Sequence, residues 1–280
     1  MCSQRPGMGF IIGEKTEIVA GLPCSSWHDD PANIPRLTMG QDARQRSTSW
    51  VRGIVLHTTK GVPGGKDQRP QDIRSGIGPS LGAAARVARF WSNDPGQAGA
   101  HLVVDHDGSI VCVADLLLDR AFHAGTVNDC TIGVEIYQGN AAEMYAAQLA
   151  QVVKLVDWLT VRFGIQRQIP SAYQGAIARL AAGGRDIVGV YGHRDVTENR
   201  GLGDPGNAIF ELLASAGYEA RDFEKKEDLA EWKKRQSDLN ASLQAALDVD
   251  GIPGSATRQA LLAAGRPAGM WVPRPGDTSS

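Results

Sequence analysis

Two histidines and one aspartate stand at positions where a protein could hold a metal ion. His57 ends the short apolar run GIVLH, His193 directly follows the run VGVYG, and Asp204 comes 11 residues after His193. Two imidazoles and one carboxylate are a common zinc set that leaves a fourth position open for water. Taken alone, each histidine is equally compatible with a polar residue that is satisfied at the end of a strand.

The strands around these residues predict how they come together. Short apolar, β-branched runs over residues 53–57, 131–137 and 187–192 are typical of buried strands. The segment HLVVDHDGSIVCV predicts two further strands around a turn at Asp107-Gly108. Because open α/β sheets bind ligands at the carboxyl edge of their strands, we expect the two histidines at that edge.

Helical segments alternate with these strands. Residues 80–92 have a helical composition with Ser80 as a plausible N-cap, and NAIFELLASAG (207–217) predicts a short helix with a glycine stop. The segment 141–163 repeats apolar residues on one helical face, namely Leu149, Val152, Val153, Val156 and Leu159. The alternation predicts an α/β fold with a mixed central β-sheet flanked by helices.

Composition excludes several classes of protein. The 280 residues include 29 Lys and Arg against 31 Asp and Glu, so the net charge of −2 lacks the positive field of a nucleic-acid-binding protein. No apolar run reaches the roughly 18 residues of a membrane helix. The N-terminus has no apolar stretch of signal-peptide length, so we expect synthesis in the cytoplasm without a Sec signal.

The four cysteines form no CxxC pair, which argues against a cysteine zinc cage. Cys112 and Cys130 lie in strand-like runs and are expected to be buried structural thiols rather than nucleophiles. His106 falls in the predicted hairpin turn, where we expect a solvated side chain.

Five segments occur in an order that is specific to one family. They are GIVLHTTKG (53–61), AHLVVDHDGSIV (100–111), AFHAG (121–125), TIGVEIYQG (131–139) and YGHRDVTENRGLGDPG (191–206). In these segments the sequence resembles the zinc-dependent N-acetylmuramoyl-L-alanine amidases of the amidase-2 type. That superfamily includes phage amidase endolysins and peptidoglycan recognition proteins. The resemblance implies the same mixed sheet with flanking helices.

The resemblance also implies roles for individual residues. It implies Zn²⁺ as the cofactor, with His57, His193 and Asp204 as its ligands. Glu135 falls on the catalytic glutamate of the family, and the alternative is a strand glutamate paired with an arginine. His123 falls on a catalytic pocket position that helps to bind the substrate or the transition state.

One departure from the family concerns the loop before Asp204. Many members carry a lysine two residues before the ligand aspartate, where this chain has Leu202. Arg200 is the nearest cation, and we expect it to replace that lysine as a catalytic residue. His101 and Thr58 are expected to contact the substrate, and the alternative for His101 is a packing role.

The C-terminal part is charged and helical over residues 222–247. Residues 232–265 resemble the three-helix peptidoglycan-binding module, with Asn240 and Asp250 as the expected binding residues; the alternative is a helical tail that only packs. The predicted organisation is therefore a catalytic domain over 1–217 with an N-terminal extension over 1–50, an abridged binding module over 225–265 and a flexible tail over 266–280.

The function implied by the resemblance is hydrolysis of the amide bond between N-acetylmuramic acid and L-alanine, leading to lysis of the cell wall. The partner is then peptidoglycan, with no nucleic acid and no membrane insertion, and the protein is expected to be a monomer. It would reach the wall after release by a holin or a dedicated secretion system. Three alternatives stay open: a cytosolic amidase that recycles anhydro-muropeptides, a secreted antibacterial effector, and a non-catalytic recognition protein.

Overall fold

A computed structural model describes most of the chain. The described residues are 8–37, 46, 51–59, 70–93, 99–139, 142–170, 188–196, 203–221, 229–244, 246, 247, 249 and 260. The strands are β1 (Phe10–Ile12), β2 (Lys15–Glu17), β3 (Cys24–Ser26), β4 (Gly53–Thr58), β5 (Leu102–Val104), β6 (Ile110–Cys112), β7 (Thr131–Ile136), β8 (Gln168–Pro170), β9 (Gly189–Gly192) and β10 (Glu219–Arg221). The helices are α1 (Ala83–Ser92), α2 (Ala146–Phe163), α3 (His193–Val196), α4 (Asn207–Ser215) and α5 (Leu229–Leu243).

The central sheet has six strands in the order β3-β6-β5-β7-β4-β9. Strands β5, β7, β4 and β9 run parallel to one another, whereas β6 is antiparallel to β5 and β3 is parallel to β6. The predicted mixed sheet is thus confirmed, including the hairpin around Gly108, whose φ is 84°. The four parallel strands all end at one edge, which is where the predicted site falls.

One face of the sheet carries the main hydrophobic core. It is covered by α2 and α4, and α2 places Leu149, Val152, Val156 and Leu159 in that core as its spacing predicts. Val153, also predicted for this face, is only partly buried. Each fully buried side chain of this size stabilises the fold by about 1.5–3 kcal/mol relative to an exposed one.

The opposite face carries the polar residues of the site. Helix α1 packs on β5 and β6 there through Ala84 and Ala88, which form a smaller cluster with Val103. Val103, Glu135 and His57 are register partners on β5, β7 and β4, so their side chains lie side by side on this face.

The start of α1 differs from the sequence prediction. Ser80 is not its N-cap, because the helix begins at Ala83 after Gly82, whose φ of 58° is left-handed. The carboxylate of Asp105, in the turn after β5, accepts the backbone N–H groups of Ala83 and Ala84 at 2.7 and 3.2 Å. The helix is therefore capped from a distant turn of the chain.

The prediction of a solvated His106 is wrong. Its ring is fully buried between Tyr137 and Tyr145, with ring centroids 4.9 and 5.0 Å away. Neither ring nitrogen has a hydrogen-bond partner among the described residues. The loop at Gly78 closes over it, since a β-carbon there would lie 2.7 Å from the β-carbon of His106.

The N-terminal segment adds short strands to this core. Strands β1 and β2 form a hairpin, whose turn at Gly13 and Glu14 is held by hydrogen bonds from their backbone N–H groups to the Asp115 carboxylate at 2.9 and 2.6 Å. Strand β3 extends the sheet beyond β6. Cys112 and Cys130 are buried thiols without disulfides, as predicted, and Cys24 in β3 is a third.

The region after α4 continues the fold that surrounds the central sheet. Tyr218 belongs to the main core, and β10 pairs in parallel with β8. Helix α5 follows, and residues 266–280 lie outside the described residues. In the described part of the chain, no helix has the length and apolarity needed to cross a membrane.

Candidate active site

The polar centre of the site lies where β4 and β9 end. His57 is the fifth residue of β4, and His193 opens α3 immediately after β9. The two strands are neighbours and parallel, so both histidines reach the same sheet edge, as the sequence predicts. Gly192 lets the loop of Asp204 approach, because a β-carbon there would lie 3.2 Å from the Asp204 carbonyl oxygen.

His57, His193 and Asp204 bring their donor atoms together in a buried cluster. The Nδ1 atoms of the two histidines are 2.9 Å apart, and Nδ1 of His193 lies 3.1 Å from Oδ2 of Asp204. All three donor atoms lie within 4.8 Å of one another. Two donors at zinc–nitrogen distances of about 2.0–2.1 Å in a tetrahedral site are roughly 3.3 Å apart, which matches this spacing. The set therefore has the donor types and the spacing that are typical of a zinc site.

Thr58 supports the ligand Asp204. Its backbone N–H donates to Oδ1 of Asp204 at 3.0 Å, and its hydroxyl donates to the Gly203 carbonyl at 2.6 Å. These bonds leave Oδ2 turned towards His193. Thr58 is only 4% exposed, so the geometry favours a role in orienting Asp204 over the expected substrate contact.

His123 packs against His57 from the side away from His193. Its Nδ1 lies 3.0 Å from Nε2 of His57, and its own Nε2 lies 3.2 Å from the Thr131 hydroxyl. Burial lowers the pKa of His123 to about 3, and the nearby charges of His193 and Arg46 act in the same direction. Because both ring nitrogens already have partners, this geometry does not favour the expected contact with substrate or transition state.

Glu135 lies one strand away from His57. It pairs with His57 in the β4–β7 register, so the two side chains share the face that carries the site. Unlike the ligands, Glu135 is only partly buried. A carboxylate beside the metal ligands but open to solvent is placed to exchange protons with a water molecule.

His101 lies within the sheet core. Its Nδ1 accepts the Gly133 N–H at 3.0 Å, its Nε2 lies 3.2 Å from the Asp119 carbonyl oxygen, and its ring is fully buried. Burial lowers the pKa of His101 well below 6.5, helped by the charge of Arg46. The expected substrate contact is therefore not supported, and the alternative of a packing role fits the structure.

Arg46 is a buried residue that the sequence did not single out. Its guanidinium donates to the carbonyl oxygens of Asn128, Asp129 and Thr131 at 2.9–3.2 Å, and burial lowers its pKa to about 10. These hydrogen bonds fix the position of the loop that leads from His123 into β7. A single arginine within the N-terminal extension carries no sequence signal for such a role.

Three predicted residues remain to be placed. Arg200, expected to be catalytic, and Asp250 lie outside the described residues, as does Leu202. Asn240, expected to bind wall polymer, donates to the Leu247 carbonyl at 2.9 Å and accepts the Leu247 N–H at 2.8 Å. Because its amide closes a backbone turn, the geometry favours a structural role for Asn240.

Comparison with known proteins gives one family. Residues 46–207 match the family model described as N-acetylmuramoyl-L-alanine amidase, Amidase_2. That range contains His57, Glu135, His193 and Asp204. The comparison with curated proteins gives no match.

Similar solved structures include an amidase, a phage endolysin and a peptidoglycan recognition protein. The N-acetylmuramoyl-L-alanine amidase LysC from Clostridium intestinale URNW is 18% identical, with 62% of this chain and 88% of that chain covered and a TM-score of 0.36. The endolysin of the Thermus scotoductus MAT2119 bacteriophage Ph2119 is 19% identical, with coverage of 69% and 98% and a TM-score of 0.37. The Drosophila peptidoglycan recognition protein SD is 12% identical, with coverage of 72% and 99% and a TM-score of 0.44.

Proposed function

The chain belongs to the N-acetylmuramoyl-L-alanine amidase family, and we propose that it cleaves peptidoglycan between the lactyl group of N-acetylmuramic acid and L-alanine of the stem peptide. The observation that carries the proposal is the buried zinc set of His57, His193 and Asp204. A recognition protein that only binds muropeptides has no need of a complete set. The intact set therefore favours an enzyme.

The chemistry divides between the metal and Glu135. Zinc, when bound, polarises the amide carbonyl and acidifies the attacking water. Glu135 takes the proton from that water and later delivers it to the departing nitrogen, so that the stem peptide leaves with a free L-alanine amine. Its place beside His57 in the register, on the same face and partly open to solvent, supports this role.

Charge that develops on the carbonyl oxygen needs a donor besides the metal. Arg200 is our candidate, because it is the nearest cation in the loop before Asp204, where Leu202 replaces the lysine of many relatives. Removing one such donor usually lowers turnover by about 10²–10³-fold. Both ring nitrogens of His123 have partners, which makes His123 the weaker candidate.

The wider proposal is an endolysin-like enzyme that acts at the cell wall, reached through a holin or a dedicated secretion system. Its catalytic domain would extend to Arg221 rather than to residue 217, because Tyr218 and β10 pack with the catalytic fold. Residues 225–265 would then bind wall polymer and hold the enzyme on its substrate. The protein would act as a monomer.

The test is digestion of purified peptidoglycan followed by mass spectrometry. We expect free stem peptides with a new L-alanine amine and intact glycan strands. Chelator-treated protein should release none, and stoichiometric zinc should restore the products; metal analysis should find about one zinc per chain. New glycan reducing ends in place of stem peptides would identify a glycosidase and refute the proposal.

A further inference from the structure

A chain of hydrogen bonds leads from the protein interior to the ligand His57. The Thr131 hydroxyl donates its one proton to the Val127 carbonyl at 2.8 Å. Its oxygen must therefore accept at its 3.2 Å contact with Nε2 of His123, which places a proton on that nitrogen. Since a neutral imidazole has one donor and one acceptor, Nδ1 of His123 is an acceptor.

The acceptor on His123 determines the tautomer of His57. Nδ1 of His123 lies 3.0 Å from Nε2 of His57, so His57 donates from Nε2. Its Nδ1 then carries a lone pair instead of a proton. Nδ1 is the atom of His57 that lies 2.9 Å from Nδ1 of His193, within the zinc set. A proton on that atom would block its use as a ligand.

The side chain of Asn128 and the close approach of Gly133 hold His123 in the orientation that this series of hydrogen bonds requires. Oδ1 of Asn128 accepts the backbone N–H groups of both His123 and Ala124, at 3.1 and 2.7 Å. On the other side lies Gly133 in β7, where a β-carbon would lie 2.7 Å from Cγ and Nδ1 of the His123 ring. Any side chain at position 133 would push the ring away from His57.

We propose that His123 is a positioning residue that, together with Thr131 and Gly133, fixes the tautomer and orientation of His57 for zinc. Its role is exerted through His57 and requires no contact with substrate. The proposal rests on the zinc site of the proposed function. Its test measures zinc affinity and the position of the proton on His57 directly, without measuring amidase activity. Failure of this proposal can therefore be distinguished from failure of the proposed function.

The test uses the full chain and four variants. His123→Phe keeps the ring volume but removes both nitrogens, and Thr131→Val removes only the hydroxyl. Thr131→Ser restores a hydroxyl, and His106→Phe removes another fully buried imidazole, one whose nitrogens have no partner among the described residues. Zinc dissociation constants come from competition with a chromophoric chelator, and thermal unfolding of the metal-free proteins checks their folding.

We expect zinc affinity to fall about 10–100-fold in His123→Phe and on the order of tenfold in Thr131→Val, the usual range for losing a partner of a ligand histidine. Thr131→Ser and His106→Phe should stay within about twofold of the wild type. Nitrogen-15 NMR of the metal-free wild type should show His57 protonated on Nε2. Unchanged zinc affinity in both His123→Phe and Thr131→Val, equal losses in Thr131→Val and Thr131→Ser, or a proton on Nδ1 of His57 would each overturn the proposal.

Discussion

Glu135 is the residue whose chemistry can be separated most cleanly from the metal. It lies on β7 next to His57 on β4, yet the zinc donor set consists of His57, His193 and Asp204. A carboxylate in that position can move a proton without being a ligand. Metal content and turnover should therefore respond differently when Glu135 is changed.

Glu135→Gln should keep zinc and lower turnover by about 10²–10⁴-fold, because the amide retains the size of the side chain but cannot accept a proton. Release of stem peptides from peptidoglycan and metal analysis of the same sample measure the two quantities. The matched control is Glu17→Gln, since Glu17 is a strand glutamate paired with Arg162 at 2.9 Å, the structural alternative considered for Glu135. Wild-type turnover in Glu135→Gln would contradict the mechanism.

At the scale of elements, the link between the β5–β6 hairpin and α1 is a testable feature. Asp105→Ala should lower the free energy of unfolding by about 0.5–2 kcal/mol, because the first two N–H groups of α1 lose their acceptor. Ser80→Ala, at the cap predicted from the sequence, should change it by less than about 0.5 kcal/mol. Urea unfolding measures both, and a larger loss in Ser80→Ala would refute the assignment.

The elements that sequence predicted best are those with a strong apolar pattern. Strands β4 and β7 are apolar, β-branched and almost entirely buried, and α2 follows a helical repeat, so local composition determines them. Strands β3, β8 and β10 have three residues each and are partly polar, and they exist only because a neighbour pairs with them. The N-cap of α1 could not be predicted for a similar reason, because Asp105, which accepts its first N–H groups, is distant from the helix in the sequence.

The candidate site divides in the same way. The candidate zinc ligands and Glu135 could be predicted because they occur in ordered motifs in or directly after strands. The partners of the ligands could not, because His57 and His123 are 66 residues apart and meet only in the folded chain. Thr131 and Gly133 look like ordinary strand residues in TIGVEIY. Their roles depend on what packs against β7.

At the scale of the whole molecule, buried neutral histidines couple folding to pH. The pKa of His101 is well below its usual value of 6.5, chiefly because of burial. Below pH 6.5 the unfolded chain therefore binds a proton that the folded chain does not. The contribution of such a histidine to the free energy of unfolding is fully present above pH 6.5. It decreases as the pH falls, by up to about 1.4 kcal/mol per pH unit for each such histidine.

Replacing His101 should remove one titrating group from the pH dependence of the free energy of unfolding. His101→Asn keeps an acceptor for the Gly133 N–H but cannot titrate, so its free energy of unfolding should fall less steeply between pH 6.5 and 4.5. Urea unfolding of metal-free protein measures the slope without the pH dependence of zinc binding. A wild-type slope in His101→Asn would contradict the assignment.

The proposed separation of roles, with catalysis in the fold up to Arg221 and wall binding in the C-terminal segment, is tested at the scale of the whole molecule. A chain that ends after Arg221 keeps Tyr218 and the β8–β10 pair, so it should fold, bind zinc and cleave small soluble muropeptides at the full-length rate. It should lose affinity for intact sacculi, because a bound tail raises the effective concentration of enzyme at the wall without changing its chemistry. Co-sedimentation with sacculi measures the affinity, and release of stem peptides from soluble substrate provides the control.

In the full chain, Asn240→Ala should also weaken sedimentation, since the turn that its amide closes at Leu247 would open. Undiminished sedimentation of the shortened chain would leave the segment only a packing role.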